Sequence, residues 1–344
     1  MKKIKKSVKI VIAIALVIVL LLSSGVIFYL SKLNLIKFSN GKFTWNGSPD
    51  MSDSETLDEE SRMNDAIADL EEKDAIDATG EIYKDKRFLN ILLIGTDERT
   101  ENFSENARGD SCMIMSIGKK DGSLKLASLE RGMGVPILDG KYKGQYDWLT
   151  HTFRYGGADL MMREVRECFK VDVERYIRVN FATFKKGIDS VGGIDITLTA
   201  AEAAYVNGET RRKTYTEGAN HLDSTAALAY ARCRHIDSDW HRIERQRNVI
   251  QAVVTKTKDL SVTELNTLLN NVLPLVQTNL TRLEITELLL SAPKYRGVQI
   301  KQTTIPISGS YGGMRGLGGR SLFSVDFDTN AKALREFIYG VKSE

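Results

Sequence analysis

The chain has 344 residues, 42% hydrophobic and 27% charged, enough to bury a sizeable core in one large domain or two ordinary ones. Its net charge of +3 is too small to mark the whole protein as a nucleic-acid binder, so any basic function is local and no nucleic-acid partner is expected. Cys112, Cys168 and Cys233 lack CxxC or metal-ligand spacing and the four histidines are scattered, which argues against a zinc site and for small buried thiols.

Lys2, Lys3, Lys5, Lys6 and Lys9 precede an apolar run from Ile10 to about Leu30. Twenty or so helical residues at about 1.5 Å each span the roughly 30 Å hydrocarbon core. The lysines should stay cytoplasmic, which places the C-terminal bulk outside. A cleaved signal peptide is the rival reading, but the run is long and no small-x-small site follows before Lys32. The expectation is a cytoplasmic tail over 1–9 and a retained transmembrane anchor over 10–30. The polar stretch 31–86 reads as a flexible juxtamembrane linker without chemistry. Its acidic part, 56–78, carries Leu57, Met63, Ala66, Ile67 and Leu70 at spacings that allow a short amphipathic helix, although mobility fits the composition better.

Residues 87–344 read as one α/β domain. The run 88–95, FLNILLIG, fits a strand buried on both faces and delivers Asp97 to its carboxyl end, where ligand sites gather in open α/β sheets. RGDS at 108–111 leads into a second strand over 112–117. A turn at 119–123 precedes a third strand, 124–129, which ends in Glu130-Arg131-Gly132. Arginine or aspartate thus sits at an end of three consecutive strands.

A helix is expected from about Ala158 to Lys170, after a turn at Gly156-Gly157. The stretch 175–184 alternates as a strand with Ile177, Val179 and Phe181, followed by a short helix over 185–191 and a strand over 194–198. Asp223 is placed to cap a helix over 224–230. Further helices are expected from Arg242 to about Lys258, over 263–277 and 286–292, then a strand over 298–305 and a closing helix over 330–341. The glycine-rich stretch 308–319 lacks a P-loop lysine–serine pair and reads as a flexible loop.

The stretch 230–246, YARCRHIDSDWHRIERQ, concentrates the basic chemistry. In extended backbone Arg232 and Arg234 share a face, and Arg242, Arg245 and Gln246 have the i, i+3, i+4 spacing of one helical face. Guanidinium groups bind phosphate bidentately, so two such forks could hold a polyanion. A solvated basic face explains the charge equally well on its own.

Six motifs carry a family resemblance: LLIGTDER at 92–99, RGDS at 108–111, SLER at 128–131, LTHTFRYGGADL at 149–160, VNFATFKKGIDSVGGIDITL at 179–198 and LDSTAALAYARCRHIDSDWHRIERQRNVI at 222–250. In this order they resemble the LytR-CpsA-Psr family of cell-wall glycopolymer ligases. The resemblance implies a single three-layer α/β/α extracellular domain with a central mixed sheet, held on the outer face of a Gram-positive membrane by one N-terminal helix. It implies a phosphotransferase that moves a glycopolymer, such as teichoic acid or capsular polysaccharide, from a polyprenyl-pyrophosphate carrier to peptidoglycan. A polyprenyl-pyrophosphate hydrolase and a non-catalytic envelope regulator are the alternatives.

By the same resemblance Asp97 and Asp110 would hold Mg²⁺, with Mn²⁺ as the alternative ion. Arg108, Asp110, Arg131, Arg232 and Arg234 would be catalytic. Arg108, Arg131, Arg232, Arg234, Arg242, Arg245 and Gln246 would bind the pyrophosphate. The lipid tail would lie in an apolar tunnel, for which Leu160, Val165, Phe169, Val179, Phe181 and Phe184 are the candidates. The chain departs from the family pattern at Gly132, where an aspartate is common, and at Trp148, where many members carry a basic residue. Both departures leave the general base unassigned.

Overall fold

The computed structural model describes residues 31–39, 54–98, 103–104, 107–234 and 236–341. The expected tail and anchor over 1–30 lie outside the described residues, as does 40–53 of the expected linker. Among the described residues no helix is long and apolar enough to cross a membrane.

After a helical turn over 31–33 come a two-residue strand, β1 (Lys37–Phe38), and helix α1 (Ser54–Ile67). β2 (Phe88–Gly95), β3 (Ser111–Gly118) and β4 (Leu124–Leu129) form an antiparallel meander, as the apolar runs and intervening turn residues dictate. A small hairpin of β5 (Gly134–Pro136) and β6 (Tyr146–Trp148) leads into α2 (Leu149–Phe169). β7 (Arg175–Val179) then pairs parallel to β2. Beyond it lie α3 (Phe181–Ser190), β8 (Ile194–Leu198), α4 (Ala200–Thr210), β9 (Gly218–Leu222), α5 (Ser224–Arg232) and α6 (Asp239–Lys256). The chain closes with α7 (Val262–Val272), β10 (Gln277–Thr278), α8 (Arg282–Ser291), β11 (Lys301–Ile305), a hairpin of β12 (Tyr311–Arg315) and β13 (Ser321–Val325), and α9 (Phe327–Tyr339).

Seven strands make one mixed sheet in the order β1-β10-β7-β2-β3-β4-β11. Its two faces follow from strand alternation. Leu92, Ile94 and Ile114 pack with Val165 and Phe169 of α2 and with Leu334 and Ile338 of α9. On the other face Met113 and Leu126 meet Ile250 and Val254 of α6, while Ile91 packs with Ile285 of α8. A satellite core joins α3, the β8–β9 hairpin and α5 through Ile188, Ile194, Leu222 and Ala227. Asp223 caps α5 as expected, accepting from the Ala226 N–H at 2.9 Å. All three cysteines are free and buried.

Several expectations are corrected. α2 starts at Leu149, not near Ala158; the two glycines interrupt it, with Gly157 at φ +65°, and a helical turn precedes them. The strand expected over 175–184 stops at Val179, because Asn180 forms a capping box with Thr183 and starts a helix at once. The glycine-rich stretch is not a loose loop, since its middle, Tyr311–Arg315, is strand β12, paired residue by residue with β13. A Cβ on Gly312 would stand 2.6 Å from the Glu71 carbonyl oxygen. Glycine is there for close backbone approach, which two hydrogen bonds between 71–73 and Gly313 exploit.

The largest correction concerns the linker. Its described part from Ser54 belongs to the domain: Met63 and Ile67 of α1, spaced i, i+4, bury against Trp148, Leu322 and Phe323. Arg320 extends the dock, donating to Glu60 at 2.6 Å and to the buried Asp147 at 2.9 Å. The acidic composition that suggested mobility finds its basic partners only in the folded state.

Glu164, a buried residue of α2, accepts a hydrogen bond from the Leu138 N–H at 3.3 Å, and burial pushes its carboxyl up to about 8. A folded-state value above the unfolded one of about 4.3 means the folded protein holds a proton that the unfolded chain releases. Stability from this group is therefore complete below pH 4 and is lost as pH rises toward 8. Glu164→Gln should remove up to about 1.4 kcal/mol of stability loss per pH unit in that window, measured by urea unfolding at successive pH values. Parallel pH profiles for variant and wild type would refute it.

Candidate active site

Strand direction assembles the site. Because β2 and β3 run antiparallel, Gly95 pairs with Ser111, and because β3 and β4 do, Cys112 pairs with Leu129. Asp97, Arg108, Asp110 and Arg131 therefore meet at one edge of the sheet, where the parallel β7 also ends. The end of α5 and the start of α6 then lay Arg232, Arg234, Arg242 and Gln246 over this edge. Ser111 fixes the overlay by donating to Gln246 Oε1 at 2.9 Å.

Ion pairs knit the cluster. Arg108, 1% exposed, places Nε 3.3 Å from Asp97 Oδ2 and 3.6 Å from Asp110 Oδ1. Arg131 Nη1 lies 3.9 Å from Asp110 Oδ1, and its Nε lies 3.5 Å from Asp239 Oδ2. Arg242 Nη2 reaches the same Asp239 oxygen at 2.8 Å. Burial, then the charge of Glu59, pushes the Asp110 carboxyl up to about 6.

Three acidic residues at the centre escaped the sequence reading. Glu59 of α1, 2% exposed, accepts from Arg131 Nη1 at 2.5 Å and from Arg234 Nη1 at 3.1 Å, and lies 3.9 Å from Arg108 Nη1. Burial opposes its ionisation, but Arg131, Arg108 and Arg234 outweigh it and hold the carboxyl at about 2. Burial, then the neighbouring Asp239 charge, pushes Glu130 well above the usual carboxylate range, while Arg242 and Arg131 hold Asp239 well below it against burial. Asp239 was legible as the residue one turn before Arg242. Glu59 carries no local signal, since its partners are at least 49 residues away in sequence.

The two departures from the family pattern face α1. A Cβ on Gly132 would stand 2.0 Å from Met63 Cε, so a side chain here would have to displace the tip of the Met63 side chain. Trp148 packs in the same cluster as Met63 and Ile67, with its indole N–H donating to the Ser321 carbonyl at 2.7 Å.

Arg245 does not join the site. It is buried on the far side of α6, donating to Glu202 Oε1 at 2.7 Å, to the Cys233 carbonyl at 2.9 Å and to Asp237 at 3.0 Å. An i+3 position next to an i+4 one is rotated enough to point at α4 instead.

A cavity of about 270 Å³ runs from the cluster between the sheet and α3, α5 and α6. Asp110, Arg232, Arg234, Arg242 and Gln246 stand at its polar end, and Leu93, Met113, Ile177, Leu228 and Ile250 line its apolar length. Val179, Phe181 and Phe184 line it too, and the Arg232 guanidinium stacks on the Phe181 ring at 4.8 Å. Leu160, Val165 and Phe169 do not, because α2 packs on the opposite face of the sheet, where they are plain core. An apolar channel with several cations at one end suits a lipid whose head group is a polyanion.

The donor set fits Mg²⁺ in kind. Asp97 and Asp110 offer hard carboxylate oxygens close together, and Asp110 Oδ1 is buried without a hydrogen-bond partner. Among the described residues no group of three or more metal-ligating side chains occurs, so the remaining positions would fall to water or phosphate oxygens.

Known proteins resemble this chain in sequence and in fold. A curated relative, the polyisoprenyl-teichoic acid–peptidoglycan teichoic acid transferase TagU of Bacillus mycoides, is 34% identical over 197 residues, covering 56% of this chain and 61% of the relative. The match thus spans about three fifths of that relative's length. Among solved structures, TagT bound to LIIa-WTA superposes with a TM-score of 0.59 at 24% identity, covering 78% of this chain and 97% of that one. YwtF (TagT) with bound octaprenyl pyrophosphate lipid gives 0.56 at 22% identity, over 78% and 97%. At these identities the likeness is one of fold. The sequence match to the LytR_cpsA_psr family, however, runs over residues 52–336, from just before α1 into α9, and the chain belongs to that family.

Proposed function

We propose that this protein transfers a glycopolymer, of the teichoic acid or wall polysaccharide kind, from a polyprenyl-pyrophosphate carrier to peptidoglycan on the outer face of the membrane. The observation that carries the reading is the apolar cavity ending in an arginine and carboxylate cluster. The relative named as a teichoic acid transferase and the fold neighbour with bound octaprenyl pyrophosphate support it.

In this reading the lipid tail fills the cavity past Phe181 and Phe184, and the pyrophosphate lies among Arg232, Arg234 and Arg242. The acceptor hydroxyl oxygen bonds to the phosphorus bearing the glycopolymer. The bond from that phosphorus to the lipid phosphate breaks, polyprenyl phosphate departs, and the hydroxyl proton leaves to solvent. Phosphoryl transfer of this kind depends mainly on positioning and charge neutralisation, which fixed guanidinium groups supply. Asp97 and Asp110 would hold a divalent ion that neutralises further phosphate charge.

The test is an assay of a lipid-linked donor with and without peptidoglycan acceptor. Release of polyprenyl phosphate should require the acceptor, stop on chelation by EDTA and return with Mg²⁺. Equal release without acceptor would replace this reading with hydrolysis.

A further inference from the structure

A second cavity, of about 490 Å³, adjoins the cluster. Arg234 lines both cavities; Arg131 and Asp239 line this one, while Arg242 and Asp110 line the apolar one. The Asp239–Arg242 pair at 2.8 Å and the Arg131–Asp110 pair at 3.9 Å tie the two linings together. The ion-paired cluster is therefore the partition between an apolar chamber and a polar one.

Part of the polar chamber's wall is aromatic. Trp240, the residue after Asp239, lies with its ring centroid 5.6 Å from that of Tyr311 and 6.2 Å from that of Phe323, and Tyr311 and Phe323 are 5.4 Å apart. Trp240 and Tyr311 are half-buried, so ring surface remains open to the chamber. Arg62 and Asp65 of α1, with Asp237 and Ser238, supply charged and hydroxyl groups at the lining. Flat aromatic faces beside carboxylates and hydroxyls complement a pyranose, which has apolar C–H faces and an equator of hydrogen-bonding hydroxyls. The volume falls in the range of small-molecule sites, about 300–1,000 Å³.

Position selects among sugars. In phosphoryl transfer the attacking and leaving oxygens lie roughly in line across the phosphorus. With a lipid phosphate departing into the apolar chamber, the attacking hydroxyl must arrive from across the partition, which is where the aromatic chamber lies. We propose that this chamber is the acceptor subsite, holding a pyranose unit of the acceptor glycan stacked on Trp240 with a hydroxyl turned toward the arginine cluster. The inference rests on the transfer reading above. A pyranose of the donor is the other source of the same chemistry, and the experiment separates the two.

The full chain is assayed for transfer at varied donor and varied acceptor, the acceptor being a soluble β-1,4-linked N-acetylglucosamine–N-acetylmuramic acid oligosaccharide. Trp240→Ala should raise the acceptor KM about tenfold or more and leave the donor KM within about twofold, and Trp240→Phe should restore most of the loss. If the three rings only brace the start of α6 against the β12–β13 hairpin, Trp240→Ala lowers thermal stability with the acceptor KM unchanged, and the proposal fails. If the donor KM rises in place of the acceptor KM, the chamber holds donor sugar and the proposal fails. Binding of the same oligosaccharide without donor, followed by calorimetry in wild type and Trp240→Ala, keeps the two readings apart. Trp240-dependent binding by a protein that transfers nothing would sink the transfer reading and leave the subsite standing.

Discussion

Arg234→Ala is expected to lower glycopolymer transfer by about 10³-fold, the scale on which a fixed cationic donor acts in phosphoryl transfer. Arg234 lies between the two cavities and lines both, so it can face the pyrophosphate from whichever side the reacting phosphorus sits. The folded protein should tolerate its loss. Glu59, its partner at 3.1 Å, keeps Arg131 at 2.5 Å and Arg108 at 3.9 Å, so no buried charge is stranded. Arg234→Lys should be intermediate, because an ammonium keeps the charge but not the planar fork. Single-turnover rates at saturating donor, beside thermal melts, would decide the matter. Near-normal transfer by the alanine variant would remove the arginine cluster from the mechanism.

Glu59→Ala is expected to damage both fold and activity. Arg108 and Arg131 are buried and would keep the longer contacts to Asp97, Asp110 and Asp239, so losing the charged hydrogen bonds to Glu59 should cost about 1.5–3 kcal/mol. The penalty should depend on pH in a definite direction. The Glu59 carboxyl titrates at about 2 when folded and about 4.3 when unfolded, so its contribution is complete above pH 5. It is lost as pH falls toward 2. The gap between wild type and variant in urea unfolding should therefore narrow across that range. A constant gap would mean that the Glu59 charge does not contribute to stability. Transfer should fall as well, since Arg108, Arg131 and Arg234 lose the carboxylate that orients them together.

Much of this site was legible because its residues sit in local contexts with strong rules. Buried strands ending in glycine or charge put Asp97, Asp110 and Arg131 at one edge once antiparallel pairing is allowed. Helical spacing put Arg242 and Gln246 together. The same rule misassigned Arg245, because a helix bearing polar groups on both sides of a core stripe gives no sign of which side faces the ligand. Leu160, Val165 and Phe169 failed for a related reason: an apolar stripe reports burial but not the face of the sheet on which it is buried. Glu59 and the aromatic wall were out of reach, since their partners are brought together only by the docking of α1 and of the β12–β13 hairpin. Glycines in that hairpin were read as slack when their use is close backbone contact.

The N-terminal chain touches the domain at two separated places, and this fixes how a pull would be shared. β1 pairs with β10 at the outermost position of the sheet, and just before it Leu33 and Ile36 are buried with Leu280 and Ile285. α1 is seated elsewhere, on β13 and the arginine cluster. Tension arriving from residues before Leu33 would therefore load the sheet margin first, in shear along β1, and would reach Glu59 only after that strand had given way. The reactive edge is mechanically insulated from whatever drags on the N-terminus, by two residues of strand and two buried aliphatic side chains acting as an anchor point.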